Sequence, residues 1–151
     1  MMSRRIPLTQ LPELIGEHLG RSDWLSIEQN RIDAFAAATD DHQWIHTDPA
    51  RASHGPFGTT IAHGYLTLSL VIPLWEALVT ITGVTTKVNY GLERVRFPAP
   101  TPVGSRVRLG VVLRDATHIA GGQQILLDAT VEAEGVEKPV CVAQQVFRLY
   151  E

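Results

Sequence analysis

Twenty-four residues from Ile61 to Val84, IAHGYLTLSLVIPLWEALVTITGV, form the longest apolar run in the chain, and any fold must find cover for them. A run of about 20 apolar residues is long enough to span a bilayer. His63, Pro73 and Glu76 argue against that use, because each is costly or awkward in lipid. A helix wrapped by a sheet can instead be apolar nearly all round and still carry a few partnered polar groups. The sequence therefore predicts a buried helix over the whole run, with Leu66, Leu70, Leu74, Leu78 and Ile81 forming one stripe at spacings of three and four. Pro73 has no N–H to offer the Ser69 carbonyl, so a kink is expected there. Gly64 follows His63 after the loop GPFGTT, which leaves the first amides of the helix without partners inside it.

The flanking segments say what covers that helix. Residues 1–21 hold the breakers Pro7, Pro12, Gly16 and Gly20 and predict a short helix with an extended lead-in. Trp24 to Ser26 reads as a short strand. Ser26 and Gln29 fit a capping box for a helix that ends near Thr39, with Ile27, Ile32, Phe35 and Ala36 as its apolar positions. Asp40 to Thr60 has no sustained period and predicts a structured loop with one helical turn after Asp48-Pro49.

After Val84 the pattern alternates. Val88, Tyr90 and Leu92 share one face and Val95 and Phe97 continue out of phase, so a bulge is expected between Gly91 and Arg94 in a strand that stops at Pro98. Val107, Leu109, Val111 and Leu113 mark a second strand, closed by Gly121-Gly122. Ile125 to Ala133 gives a third, and Val140 to Tyr150 a fourth, with Pro139 at its start. One long helix and a meander of antiparallel strands define an α+β layout in which the sheet curls around the helix.

Composition narrows the classes of function. A chain of 151 residues, 44% apolar and 19% charged, matches one soluble globular domain over residues 1–151. The formal charge of −3 gives no general affinity for nucleic acid. The start MMSRRIPLTQLPEL lacks the apolar segment of a signal peptide, which leads to the expectation of a cytoplasmic protein with no membrane partner. The single Cys141, between Val140 and Val142, cannot close an intrachain disulfide and reads as a core thiol, with an interchain bond or a reactive thiol as the alternatives.

Two stretches carry a resemblance. TDDHQWIHTDPARA, followed by FGTTIAHGYLTLSL, resembles the signature of the MaoC-like dehydratases and (R)-specific enoyl-CoA hydratases, and the DHQWIH wording is similar to their nodulation-protein-N-like branch. The likeness extends through NYGLERVRFPAPTPVGSRVR. The family motif reads Gly-Asp-x-Asn-Pro-x-His, and the matching positions here are Asp40 to His46. Asp40 thus stands where the family has Gly, and Gln43-Trp44 where it has Asn-Pro. The resemblance implies a hotdog fold, a central helix wrapped by a curved antiparallel sheet, and a homodimer formed edge to edge. It implies addition of water to trans-2-enoyl-CoA, or the reverse dehydration of 3-hydroxyacyl-CoA, in fatty acid metabolism. Asp41 and His46 would share the reacting water, and the Gly64 N–H would hold the thioester oxygen.

Such a reaction needs a base for the water, an acid for the α-carbon and donors for the oxyanion. Ser69 matches a family serine near the site, and His63, Asn89 and Tyr90 join it as candidate substrate contacts. From Thr86 to Arg114 there are six basic residues and one acid, Glu93, a local positive surface suited to coenzyme A phosphates, with Arg94 and Arg96 as the candidates. The cluster Asp41, His42, His46, Asp48, His54 and His63 matches no closed zinc spacing and has no cysteine beside it, so no metal and no separate cofactor are expected. Two rivals stand beside hydration. One is an acyl-CoA thioesterase on the same fold, and the other is an acyl-binding scaffold without turnover.

Overall fold

The computed structural model describes residues 2–151. Strand β1 (Arg4–Pro7) leads into a 3-10 helix (Leu8–Leu14), then β2 (His18–Arg21) and β3 (Leu25–Ser26). Helix α1 (Gln29–Thr39) is followed by two single turns, α2 (Trp44–Thr47) and α3 (Pro49–Ala52). The helical turn expected after Asp48-Pro49 is α3, and the Asp48 carboxylate accepts from the Arg51 N–H to cap it. The capping box expected at Ser26 and Gln29 does not form: Glu28 occupies the cap position, with no side-chain cap bond.

The long apolar run is divided. Helix α4 (Gly64–Ser69) and helix α5 (Val71–Leu78) meet at Leu70, just after Ser69, whose carbonyl has no N–H to accept from at Pro73 four residues on. The run then leaves the helix at Val79 and enters strand β4 (Val79–Thr82), which corrects the single helix expected to Val84. The reason is local: Val79, Thr80, Ile81 and Thr82 are all β-branched and fit a pleated surface better than a helix interior. Strand β4 pairs in parallel with β1, Ile81 opposite Ile6, so Ile81 is buried from a strand and not from a helical stripe.

The remaining strands are β5 (Thr86–Arg96), β6 (Arg106–Ile119), β7 (Gly122–Ala133) and β8 (Cys141–Tyr150). They join β2 in the order β2-β6-β7-β8-β5, with β3 also on β6. Alternation sets the faces. Leu109, Leu113, Ile125, Leu127, Phe147 and Leu149 point to the core, where they meet Leu66, Leu70, Leu74 and Trp75 from α4 and α5. Trp75 stacks on Phe147 with ring centroids 6.2 Å apart. A curved antiparallel sheet wrapped round a helix is the hotdog arrangement expected from the sequence. No helix among the described residues is long and apolar enough to cross a membrane.

Strand β5 lies at the edge of the sheet and carries two irregularities against β8, one between Asn89 and Gly91 and one between Leu92 and Arg94. The second is the bulge expected from the phase change. Val88, Tyr90 and Leu92 remain exposed on this edge.

Candidate active site

The site begins where α1 ends. Asp40 has φ 60° and ψ 20° and is the sole non-glycine residue with positive φ among the described residues. This left-handed conformation favours glycine, although Asp adopts it more readily than most residues. It turns the chain so that Asp41 follows beside the helical layer. Asp40→Gly is expected to gain about 0.5 kcal/mol of stability, the relief of strain exceeding the added freedom of the unfolded chain. Thermal unfolding checks this, with a midpoint raised by a degree or two and turnover not lowered. A lowered midpoint would show that the Asp40 side chain stabilises the turn.

Asp41 keeps an exposed carboxylate, one oxygen of which accepts from the Gln43 N–H at 3.4 Å. Gln43 then starts the turn α2, which carries His46 inward until it is 7% exposed. Its Nδ1–H donates to the Ile61 carbonyl at 2.7 Å, so the lone pair is on Nε2. Burial holds the imidazole below its usual pKa of 6.5; the Ile61 bond opposes this, His63 adds to it and Asp41 opposes it. A neutral ring with a free Nε2 is the form a general base requires.

His63 lies behind His46. Its ring is 2% exposed and stacks on that of His46 at 3.9 Å, while Phe35 closes its other side at 4.9 Å. Its Nε2–H donates to the Asp41 carbonyl at 2.9 Å. Gly64, next in the chain, is the first residue of α4, and its N–H donates to no described residue. His46 and Gly64 share the wall of a cavity of about 300 Å³ with Phe57, Ile61, Phe97 and Thr101. Phe97 lies so close to Gly64 that a Cβ there would meet its ring at 2.9 Å.

The donor atoms of Asp41, His46 and His63 lie within 4.8 Å of one another. Backbone carbonyls already engage His46 Nδ1 and His63 Nε2. That leaves His46 Nε2, the Asp41 carboxylate and His63 Nδ1, which is buried without a hydrogen-bond partner among the described residues. A single water bridges groups about 5 Å apart, which suits the His46 imidazole and the Asp41 carboxylate.

The other candidate residues sit elsewhere. Ser69 is exposed, and its hydroxyl donates to the Tyr65 carbonyl at 2.7 Å, outside the cavity wall. Asn89 accepts from the buried Gln145 on the core side of β5. Tyr90 is exposed beneath the Arg148 guanidinium, 3.6 Å from its ring centroid. Arg94 and Arg96 stand on the outer sheet face in a hollow of about 260 Å³ with Asp128, Thr130, Val142 and Gln144. Arg96 immediately precedes Phe97, so the strand end links this hollow to the cavity. The basic stretch is less positive than it reads: Arg106, Arg108, Arg114 and Lys87 pair with Glu134, Glu132, Asp128 and Glu76. Phe57 and Thr101 carry no expectation from the sequence, and Phe97 is expected there only as a strand position, not as part of the site. The bulky aromatic after a strand of alternating residues, ahead of Pro98, is the signal that marks Phe97.

Fold and site together define a hotdog protein in which a carboxylate and a buried neutral imidazole meet beside the first amide of the central helix. The chain belongs to the MaoC-like family, whose MaoC like domain matches residues 10–136. It is 50% identical over 142 residues to 3-hydroxyacyl-thioester dehydratase Z of Mycobacterium tuberculosis, covering 93% of this chain and 94% of that protein. Nodulation protein N of Rhizobium leguminosarum bv. viciae is 42% identical over 144 residues, 93% of this chain and 89% of that one. Among solved structures, an unliganded R-hydratase of Pseudomonas aeruginosa superposes with a TM-score of 0.78 at 21% identity, over 99% of this chain and 88% of the other. That likeness is one of fold.

Proposed function

We propose that the protein is a hydro-lyase that adds water reversibly to trans-2-enoyl-CoA to give (R)-3-hydroxyacyl-CoA. The observation that carries this reading is the approach of the Asp41 carboxylate and the His46 imidazole to within 4.8 Å, a gap that one water bridges. The names of the relatives, a 3-hydroxyacyl-thioester dehydratase and an R-hydratase, support it.

In the hydration direction His46 Nε2 and Asp41 take a proton from the water, whose oxygen bonds to C3 of the enoyl thioester. The C2–C3 π electrons move toward the thioester oxygen, where the Gly64 N–H receives the growing charge. The proton held by the pair then passes to C2. Dehydration runs the same steps backward. No cofactor is required, because coenzyme A enters as part of the substrate. Arg94 and Arg96, unlike the other arginines of the stretch, form no ion pair among the described residues, Asp128 of their hollow being engaged by Arg114, and they are offered to its phosphates. Asn89 and Tyr90 belong to the same edge strand, His63 backs the site behind His46, and Ser69 is left to the outer side of α4, away from the cavity wall.

We place the enzyme in the cytoplasm, in fatty acid metabolism, as one domain that forms a homodimer. An unpaired edge strand with Val88, Tyr90 and Leu92 exposed favours a second copy, since such an edge is otherwise prone to uncontrolled pairing.

The test is to supply a short and a medium trans-2-enoyl-CoA and to follow loss of the conjugated thioester and release of free thiol separately. The expected result is hydration without thiol release, with chiral analysis returning the R alcohol. Thiol release as the main reaction would replace hydration by thioesterase activity. An S alcohol would overturn the stereochemical assignment, and an absence of both reactions would favour the scaffold.

A further inference from the structure

Gln29, expected in a capping box, uses its side chain in another way. We propose that Gln29 is a positioning residue for His46, holding at a fixed separation the two chain segments between which the imidazole is clamped. Its Nε2 donates to the His46 carbonyl at 2.7 Å and to the Asp33 carboxylate at 2.9 Å. Its Oε1 accepts from the Thr60 hydroxyl at 2.6 Å. Both amide hydrogens and the amide oxygen are thus engaged, and a flipped carboxamide would set its oxygen against the His46 carbonyl and the Asp33 carboxylate, two acceptors.

Thr60 is 1% exposed and immediately precedes Ile61, whose carbonyl accepts from His46 Nδ1 at 2.7 Å. The Ile61 N–H in turn donates to the Ile45 carbonyl at 3.0 Å, and Val103 fixes the Thr60 carbonyl from its other side at 2.9 Å. The path from Gln29 through the His46 backbone, its ring, Ile61 and Thr60 returns to Gln29 as a closed circuit. The nitrogen that carries the imidazole proton is set by the Nδ1 bond to Ile61, and the length of that bond depends on where Gln29 holds Thr60. Neither Gln29 nor Thr60 lines the cavity, so neither touches the substrate.

This inference rests on His46 acting as the base of the proposed hydratase, and its test has a readout apart from activity. Long-range proton–nitrogen spectra of the histidine side chains report the tautomer, with the His46 signal assigned by its loss in His46→Gln. The parent is expected to show the Nδ1–H form. In Gln29→Met, which keeps the length of the side chain and none of its bonds, the expected result is a tautomer mixture. Its kcat should fall about tenfold to 10²-fold with KM within about twofold, the pattern of misplacement without lost binding. Thr60→Val should move in the same direction, Thr60→Ser should restore the parent tautomer and rate, and the Gln29→Met, Thr60→Val pair should be no worse than Gln29→Met.

Should Gln29→Met fail to fold by circular dichroism, the two Thr60 variants decide the matter alone. A Thr60→Val protein with the parent tautomer, or with the parent kcat, overturns the inference. If the parent does not turn over enoyl thioesters, the hydratase reading fails by itself and the tautomer of Thr60→Val still decides the clamp.

Discussion

Asp41→Asn and His46→Gln are each expected to lower the single-turnover rate of hydration by roughly 10²- to 10⁴-fold, the range of general acid–base catalysis, with the fold retained. Both changes keep the shape of the side chain and remove its proton-transfer function. His46→Gln removes the ring together with its Nδ1–H bond to Ile61, so its loss reports the base and its positioning together. Because the two residues serve one water, the double variant should be little worse than either single one. The pH profile gives an independent check. Burial lowers the His46 pKa, so the free enzyme's base stays neutral as pH falls past 6.5, and the acid limb of the parent's kcat/KM should lie below that value. An Asp41→Asn protein with full activity beside an inactive Asp40→Gly protein would move the carboxylate role to Asp40.

The second large effect is expected at Gly64. A methyl group there meets the Phe97 ring at 2.9 Å, so Gly64→Ala must push the ring into the cavity or draw the helix start away from it. Either movement separates the first amide of α4 from the thioester oxygen. A fall in kcat of about 10²-fold is the magnitude for a lost oxyanion donor. The Gly64→Ala, Phe97→Ala double variant removes the collision while keeping the N–H, and it should recover most of the rate. Parent-like kcat in Gly64→Ala would show that the reaction does not depend on close backbone approach at this position.

The strands were legible because their signal is local. Val107 to Leu113 and Ile125 to Ala133 alternate without interruption, and every second residue is buried as that pattern requires. The end of the central helix was not legible in the same way. Ile81 continues the leucine stripe as well as a helical residue would, and only pairing with Ile6, some seventy-five positions away in the chain, makes it a strand residue. The site divides along the same line. Asp41, His46 and Gly64 could be placed from one motif, whereas Arg106, Arg108 and Arg114 owe their pairing to acids on β7 or just past its end, which one-dimensional charge counting does not bring together. Gln29 fitted a local capping pattern, and long-range bonds to His46 and Thr60 took its side chain instead.

The charge ladder between β6 and β7 bears on how the sheet avoids misassembly. A one-residue slip between these strands would expose the core, so burial alone forbids it. A slip of two residues keeps every apolar side chain on its proper face, and burial barely penalises it. The ion pairs distinguish what burial does not: with Arg108 opposite Glu132 and Arg106 beside Glu134, a two-residue shift strands one guanidinium opposite Thr130 or beyond the end of β7. Charges that look like a binding surface in the sequence thus act as a proofreading code for the longest hairpin in the fold.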